Sequence, residues 1–266
     1  MTRSRKSKSL TVIQECAYIK EVLKHCTYNS IVCFDVDNTL LRPTKVEDLG
    51  SDQWFRKVLQ VAFKKIPNRP HALKSTITLH ENIQRHIDVK PVEPDTAHII
   101  KLLQDLNLNT LIITARSYKM GDVTIDQLNQ IGIDLPYTCP KNDVIQFSVD
   151  GKKILFRNGV LFCDGANKGL CLVGLIKRMV IKCGNVVMLD DTRENLEKMS
   201  SAVLGAGHDF CGLRYNQLDD RVTRFDLKRA NMKLSSYRLF FSASVTNIID
   251  DFGLSEENKK PIRTVS

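Results

Sequence analysis

Three runs in this chain are apolar from end to end: IVCF at 31–34, LII at 111–113 and VVML at 186–189. A strand with one face in water alternates apolar and polar side chains. Runs without alternation are expected from strands covered on both faces. Between and beyond them lie stretches with the spacing of amphipathic helices, among them DQWFRKVLQVAFKKI at 52–66, PVEPDTAHIIKLLQDLN at 91–107 and KGLCLVGLIKRM at 168–179. In the second, Ile99, Leu102, Leu103 and Leu106 form the expected buried stripe. Strands of this kind alternating with helices predict an α/β fold: a Rossmann-like parallel sheet with helices on both faces.

The 266 residues suffice for one such core and an inserted subdomain. We expect the core over 11–41 and 91–245, and a mostly helical cap inserted over 42–90, where Gly50 to Phe55, with the sole tryptophan Trp54, could form part of a lid unless these aromatics only fill the cap's own core. A basic disordered tail is expected over 1–10, and a C-terminal tail over 246–266. Residues 11–25, TVIQECAYIKEVLKH, place Val12, Ile13, Cys16, Ile19, Val22 and Leu23 on one helical face, which predicts a helix. Residues 144–164 read as a β-meander, because Asp150-Gly151 and Asn158-Gly159 fall between alternating apolar segments. This meander is expected to act as a flap.

No apolar run is long enough to cross a bilayer, and the basic N-terminus lacks the apolar stretch of a signal peptide. The expectation is a cytoplasmic protein as synthesised, with signal-less export left open. Eight cysteines include no C-x-x-C pair, so structural zinc is not expected and buried free thiols are. The net charge is +9, and Arg3, Arg5, Lys6 and Lys8 are unaccompanied by acids. A solvated tail is the plainer reading of that segment, and a nucleic-acid-binding arm is the alternative.

The chemistry gathers where the apolar runs stop. IVCF runs into Asp35, with Asp37 two residues on; NTLIIT ends at Thr114; VVML runs into Asp190 and Asp191. Ligands of open α/β sheets bind outside the carboxyl ends of the strands. Parallel neighbours would bring these groups into one crevice, and adjacent acids there form the hard oxygen site that Mg²⁺ prefers. A divalent cation would offset their mutual repulsion. Lys168 follows the meander and begins a helix, so its ammonium could reach the same mouth, steady Asp35 and meet a phosphate oxygen. Thr114 offers a hydroxyl to another oxygen. Arg116 could pair with a substrate anion, or could be a surface arginine at a helix start.

The order FDVDNTL at 34–40, IITAR at 112–116, NKG at 167–169 and VVMLDD at 186–191 resembles the haloacid dehalogenase superfamily of phosphatases. DVDNTLLRP, GSDQWF and LFCDGANKG also resemble an uncharacterised bacterial branch of it, found in intracellular bacteria. The resemblance covers about residues 30–215 and implies a set of roles. Asp35 would be the nucleophile, giving an aspartyl-phosphate. Asp37 would be general acid and then base, with its backbone carbonyl on Mg²⁺. Asp190 would be the carboxylate ligand, and Asp191 a ligand through water or a group behind it. Thr114 and Lys168 would clamp the phosphoryl group, with the backbone N–H groups of Val36 and Ala115 completing the cradle. Many relatives have Gly after the second acid. Asn38 stands there in this chain and tolerates the same left-handed turn.

These readings predict a Mg²⁺-dependent phosphomonoesterase acting on a small phosphorylated molecule. Two alternatives are a phosphatase of macromolecules, protein or nucleic-acid ends, and a non-catalytic binding protein on the same fold.

Overall fold

A computed structural model describes residues 10–45, 48–135 and 144–254; the basic segment 1–9, Cys139 and the last twelve residues lie outside them. In chain order the first elements are β1 (Thr11–Cys16), a 3-10 helix (Ile19–His25), β2 (Ser30–Phe34), β3 (Leu41–Pro43), α1 (Asp52–Lys65) and α2 (Arg69–Gln84). Next come β4 (Val89–Pro91), α3 (Thr96–Asp105), β5 (Asn109–Thr114) and α4 (Gly121–Gln130). The meander supplies β6 (Ile145–Val149), β7 (Lys152–Arg157) and β8 (Val160–Phe162). There follow α5 (Lys168–Met179), β9 (Asn185–Asp190), α6 (Arg193–Gly205) and β10 (Asp209–Tyr215). The described chain closes with α7 (Asp219–Thr223), α8 (Leu227–Asn231), α9 (Leu234–Tyr237) and α10 (Ala243–Phe252). No helix among the described residues is long and apolar enough to cross a membrane. Seven described cysteines are free thiols.

The described residues divide into two units, one running through Arg42 and resuming over Lys90–Asp219, the other made of Pro43–Val89 and the chain from Asp220 onward. The first unit is an α/β fold on an eight-stranded sheet of order β1-β10-β9-β2-β5-β8-β7-β6. The first six strands of that order are parallel, and β7 and β6 add two antiparallel partners. Ile31 and Cys33 of β2 join Leu111, Ile113, Val186 and Met188 in one core layer with α5 and α6. Val32, Phe34, Ile112, Val187 and Leu189 point to the opposite face and are equally buried. Two buried faces are the physical reason the three runs carry no polar alternation.

Two expectations are corrected here, and the place of the meander is made definite. Residues 11–16 are a strand. Thr11, Val12 and Ile13 are β-branched, and the segment pairs in parallel with β10 from Thr11↔Phe210 to Cys16↔Tyr215. Only Ile19–His25 is helical, with Ile19 and Val22 buried. The meander is joined to the sheet at its base, with the Asp150-Gly151 tip beyond the carboxyl edge. β8 hydrogen-bonds to β5 through Ile112↔Val160, Ile113↔Leu161 and Thr114↔Phe162, which extends the main sheet. Its two turns are as expected, with Asp150, Gly151, Asn158 and Gly159 all at positive φ. Finally, residues 246–252 are no tail. They belong to α10, whose Val245, Ile249 and Phe252 share a core with Trp54, Val58, Leu79 and Ile83 of α1 and α2. The first unit accordingly ends at Asp219 and not at 245.

In the second unit Trp54 is fully buried and donates from Nε1 to Asn231 Oδ1 at 2.9 Å. Ser51 caps α1 by accepting the Trp54 N–H. His80 stacks beside Trp54 and meets Phe55 edge-on, with Nε2 2.9 Å from the Gly50 carbonyl. Of the two readings of Gly50 to Phe55, core filling is the one seen for Trp54.

Candidate active site

The register of the sheet builds the site. Phe34 lies level with Leu189 on one side and with Ile112 on the other. One residue further, Asp35 leaves β2 beside Asp190, the last residue of β9, and its N–H donates to the Leu189 carbonyl at 3.0 Å. The neighbours of β2 are reached by chain segments running in opposite directions, which makes its carboxyl end the crevice of the sheet.

Lys168 is the first residue of α5, whose N-cap is Asn167; the Asn167 Oδ1 accepts the Gly169 and Leu170 N–H groups. The preceding loop is tied to β5 by the Asp164 and Gly165 N–H groups, which donate to the Arg116 and Ala115 carbonyls. Gly169 permits α5 to press against α6: a Cβ there would stand 2.8 Å from both the Met199 Cα and the Ala202 Cβ. The Lys168 ammonium, only 5% exposed, then donates to Asp35 Oδ1 at 2.6 Å and to Asp190 Oδ2 at 2.7 Å.

Asp190 is wholly buried. Its Oδ1 also accepts the Thr192 N–H at 2.8 Å and the Asn195 amide at 3.0 Å. Asp191 accepts from the Asn38 amide at 3.3 Å and the Thr192 hydroxyl at 3.2 Å, while its N–H donates to Thr39 Oγ1. Asn38 adopts φ +60°, the left-handed conformation expected of it. Thr114 ends β5 buried, its Oγ1 accepting the Arg116 N–H at 3.1 Å, and Val36 and Ala115 directly follow Asp35 and Thr114 in the chain. The structure therefore brings Asp35, Asp190, Asp191 and Lys168 together.

Arg116 is not a surface residue. It is buried and binds Asp37 with both ends of its fork, Nε to Oδ2 at 2.9 Å and Nη2 to Oδ1 at 2.7 Å. Sequence reasoning missed Asn195, Thr39, Thr124 and Gln127. The first lies in the opening turn of the helix after Asp190-Asp191, where a side chain can reach back; the others carry no local signal.

Charge is unbalanced here. Three carboxylates, Asp35, Asp190 and Asp191, have oxygens within 4.8 Å of one another, and one ammonium lies among them. Burial pushes Asp35 well above the usual carboxylate range; Lys168 pulls it back, and Asp190 and Asp191 push it further up. Burial, then Asp190, raises Asp191 to about 6. Burial alone would depress Lys168, but the Asp190 and Asp35 carboxylates outweigh it and hold the ammonium above its ordinary range. An excess of buried hard oxygens fits a divalent cation of the Mg²⁺ type, with Asp35, Asp190 and Asp191 as the groups to hold it.

Residues 12–244 match the family described as "Protein of unknown function (DUF2608)", and the chain belongs to that family. A protein of Chlamydia trachomatis serovar D named "Putative outer membrane protein" is 24% identical over 193 residues, 70% of this chain and 69% of that protein. Among solved structures, the "putative beta-phosphoglucomutase from Thermotoga maritima" matches with a TM-score of 0.36 and 12% identity. That match covers 74% of this chain and 100% of that one. A likeness so loose says nothing of activity.

Proposed function

For a chain in a family of unknown function, we propose from the site itself a Mg²⁺-dependent phosphomonoesterase that works through an aspartyl-phosphate on Asp35. The observation that carries this reading is Lys168 bridging Asp35 and Asp190 at the carboxyl ends of adjacent parallel strands. The order of the four motifs, which resembles that of haloacid dehalogenase-type phosphatases, supports it as well.

Each residue has a task in this reading. An Asp35 oxygen attacks phosphorus, and the P–O bond to the leaving group breaks in line with the attack. Asp37 gives a proton to the departing oxygen, then takes one from the water that hydrolyses the aspartyl-phosphate. Lys168 holds Asp35 and neutralises a phosphoryl oxygen, and Thr114 turns its hydroxyl to another. The cation would supply charge neutralisation for the phosphoryl oxygens and keep the carboxylates ionised.

The test is hydrolysis of p-nitrophenyl phosphate with Mg²⁺, with EDTA, and by Asp35→Asn. We expect turnover with Mg²⁺, none with EDTA, and a fall of at least ~10³-fold in the variant. Normal turnover by Asp35→Asn removes the nucleophile assignment.

A further inference from the structure

The two acids of the first motif meet different cations: Asp35 meets Lys168, and Asp37 meets Arg116. Arg116 is itself held from behind. Its Nη1 donates to Thr124 Oγ1 at 3.1 Å and to Gln127 Oε1 at 2.7 Å, both on α4 and both buried. With the two bonds to Asp37, at least four of the five guanidinium N–H groups are engaged inside the protein. A guanidinium so occupied has no two-pronged face left for a substrate anion.

A carboxylate on a short side chain can turn among several staggered rotamers. A planar fork gripping both oxygens selects one orientation of the carboxylate plane, which a lysine point charge would not do. We propose that Arg116, fixed by Thr124 and Gln127, is a positioning residue that aims the Asp37 carboxyl at the leaving-group oxygen. This rests on the phosphatase reading. Asp37 in its acid form carries a proton taken up from solvent; as the P–O bond breaks, its electron pair stays on the leaving oxygen, the proton moves to that oxygen, and Asp37 is left as the carboxylate that the Arg116 fork grips. Misdirecting Asp37 harms that transfer and leaves attack by Asp35 intact. An acidic phenol departs without a proton and is insensitive to the aim of Asp37; a weakly acidic one is not.

The experiment compares p-nitrophenyl phosphate with phenyl phosphate, esters of similar shape and different leaving group, with Mg²⁺. The proteins are the full chain, Arg116→Lys, and the double variant Thr124→Val with Gln127→Met; the melting temperature of each is recorded. For Arg116→Lys, kcat/KM on phenyl phosphate should fall ~10–100-fold and on p-nitrophenyl phosphate less than about threefold. The double variant should show the same selective loss at about a third of the size or more. It carries the comparison alone where Arg116→Lys does not fold.

Equal losses on both esters, as a direct contact with the substrate phosphate or general loosening would give, overturn the proposal and leave the phosphatase reading standing. An unmodified chain that hydrolyses neither ester overturns both.

Discussion

The two ends of β2 and β9 are built from different polar chemistry. At the carboxyl end, Asp35, Asp190 and Asp191 crowd around one ammonium, and burial raises Asp35 and Asp191. At the amino end Ser30, Thr27 and Asn185 form a neutral, matched network. Ser30 donates to Asn185 Oδ1 at 2.7 Å, Thr27 donates to the same oxygen at 3.0 Å, and the Thr27 N–H returns a bond to Ser30 Oγ. A groove of about 560 Å³ opens beside this network, lined in part by His25, Asn185, Asp209 and Cys211. Room for a ligand is thus present beside a network whose polar groups are neutral and paired. Electrostatic tension is what sets the carboxyl end apart from it.

Lys168→Met should break this contrast most severely. It leaves Asp35 and Asp190 buried without their cation and should cost about 3–5 kcal/mol of stability, read by urea unfolding without added metal. A loss under about 1 kcal/mol would mean that the ammonium contributes little to holding these two side chains in place.

The next effect is one of pH. Asp191, raised from 3.8 to about 6, binds more protons folded than unfolded between those values. The metal-free protein therefore loses stability as pH rises through that window, by ~2–3 kcal/mol for this group, and Asp35 adds to the loss in the same sense. A cation needs the carboxylates ionised. Saturating Mg²⁺ should raise the melting temperature by roughly 5–10 °C at pH 7 and by much less at pH 5. An equal shift at both pH values would detach the metal from these carboxylates.

At the other end, Asn185→Ala removes the acceptor shared by Ser30 and Thr27 and should cost about 1–2 kcal/mol with turnover unchanged. A loss of turnover larger than the loss of folded protein would show that the two ends are not independent.

Much of the first unit was legible because it is written locally. The apolar runs of β2, β5 and β9 can be buried in only a few ways, and each hands its chain to an acid or hydroxyl at a strand end. Asp-Gly and Asn-Gly announce the two turns of the meander. What failed needed partners distant in sequence. In 11–16, Val12, Ile13 and Cys16 fit helical spacing as well as strand propensity, and the competing term was an open edge on β10 nearly two hundred residues away. α10 looks like any amphipathic helix; its destination is set by the apolar faces of α1 and α2. The role of Arg116 was hidden for the same reason. A guanidinium is satisfied by whatever acceptors surround it, and those belong to β2's end and to α4.

The meander's place in the sheet has a practical side. β8 is stitched to β5 beside Thr114, whereas the Asp150-Gly151 turn is exposed, and apart from the neighbouring residues in the chain no heavy atom lies within 4 Å of where a Gly151 side chain would begin. The register sets this turn beyond the carboxyl edge at which Thr114 ends, so an epitope or fluorophore-bearing loop spliced between those two residues would be anchored firmly and sit on the candidate site's side of the sheet. It would give a reporter on the intact molecule that leaves both termini untouched.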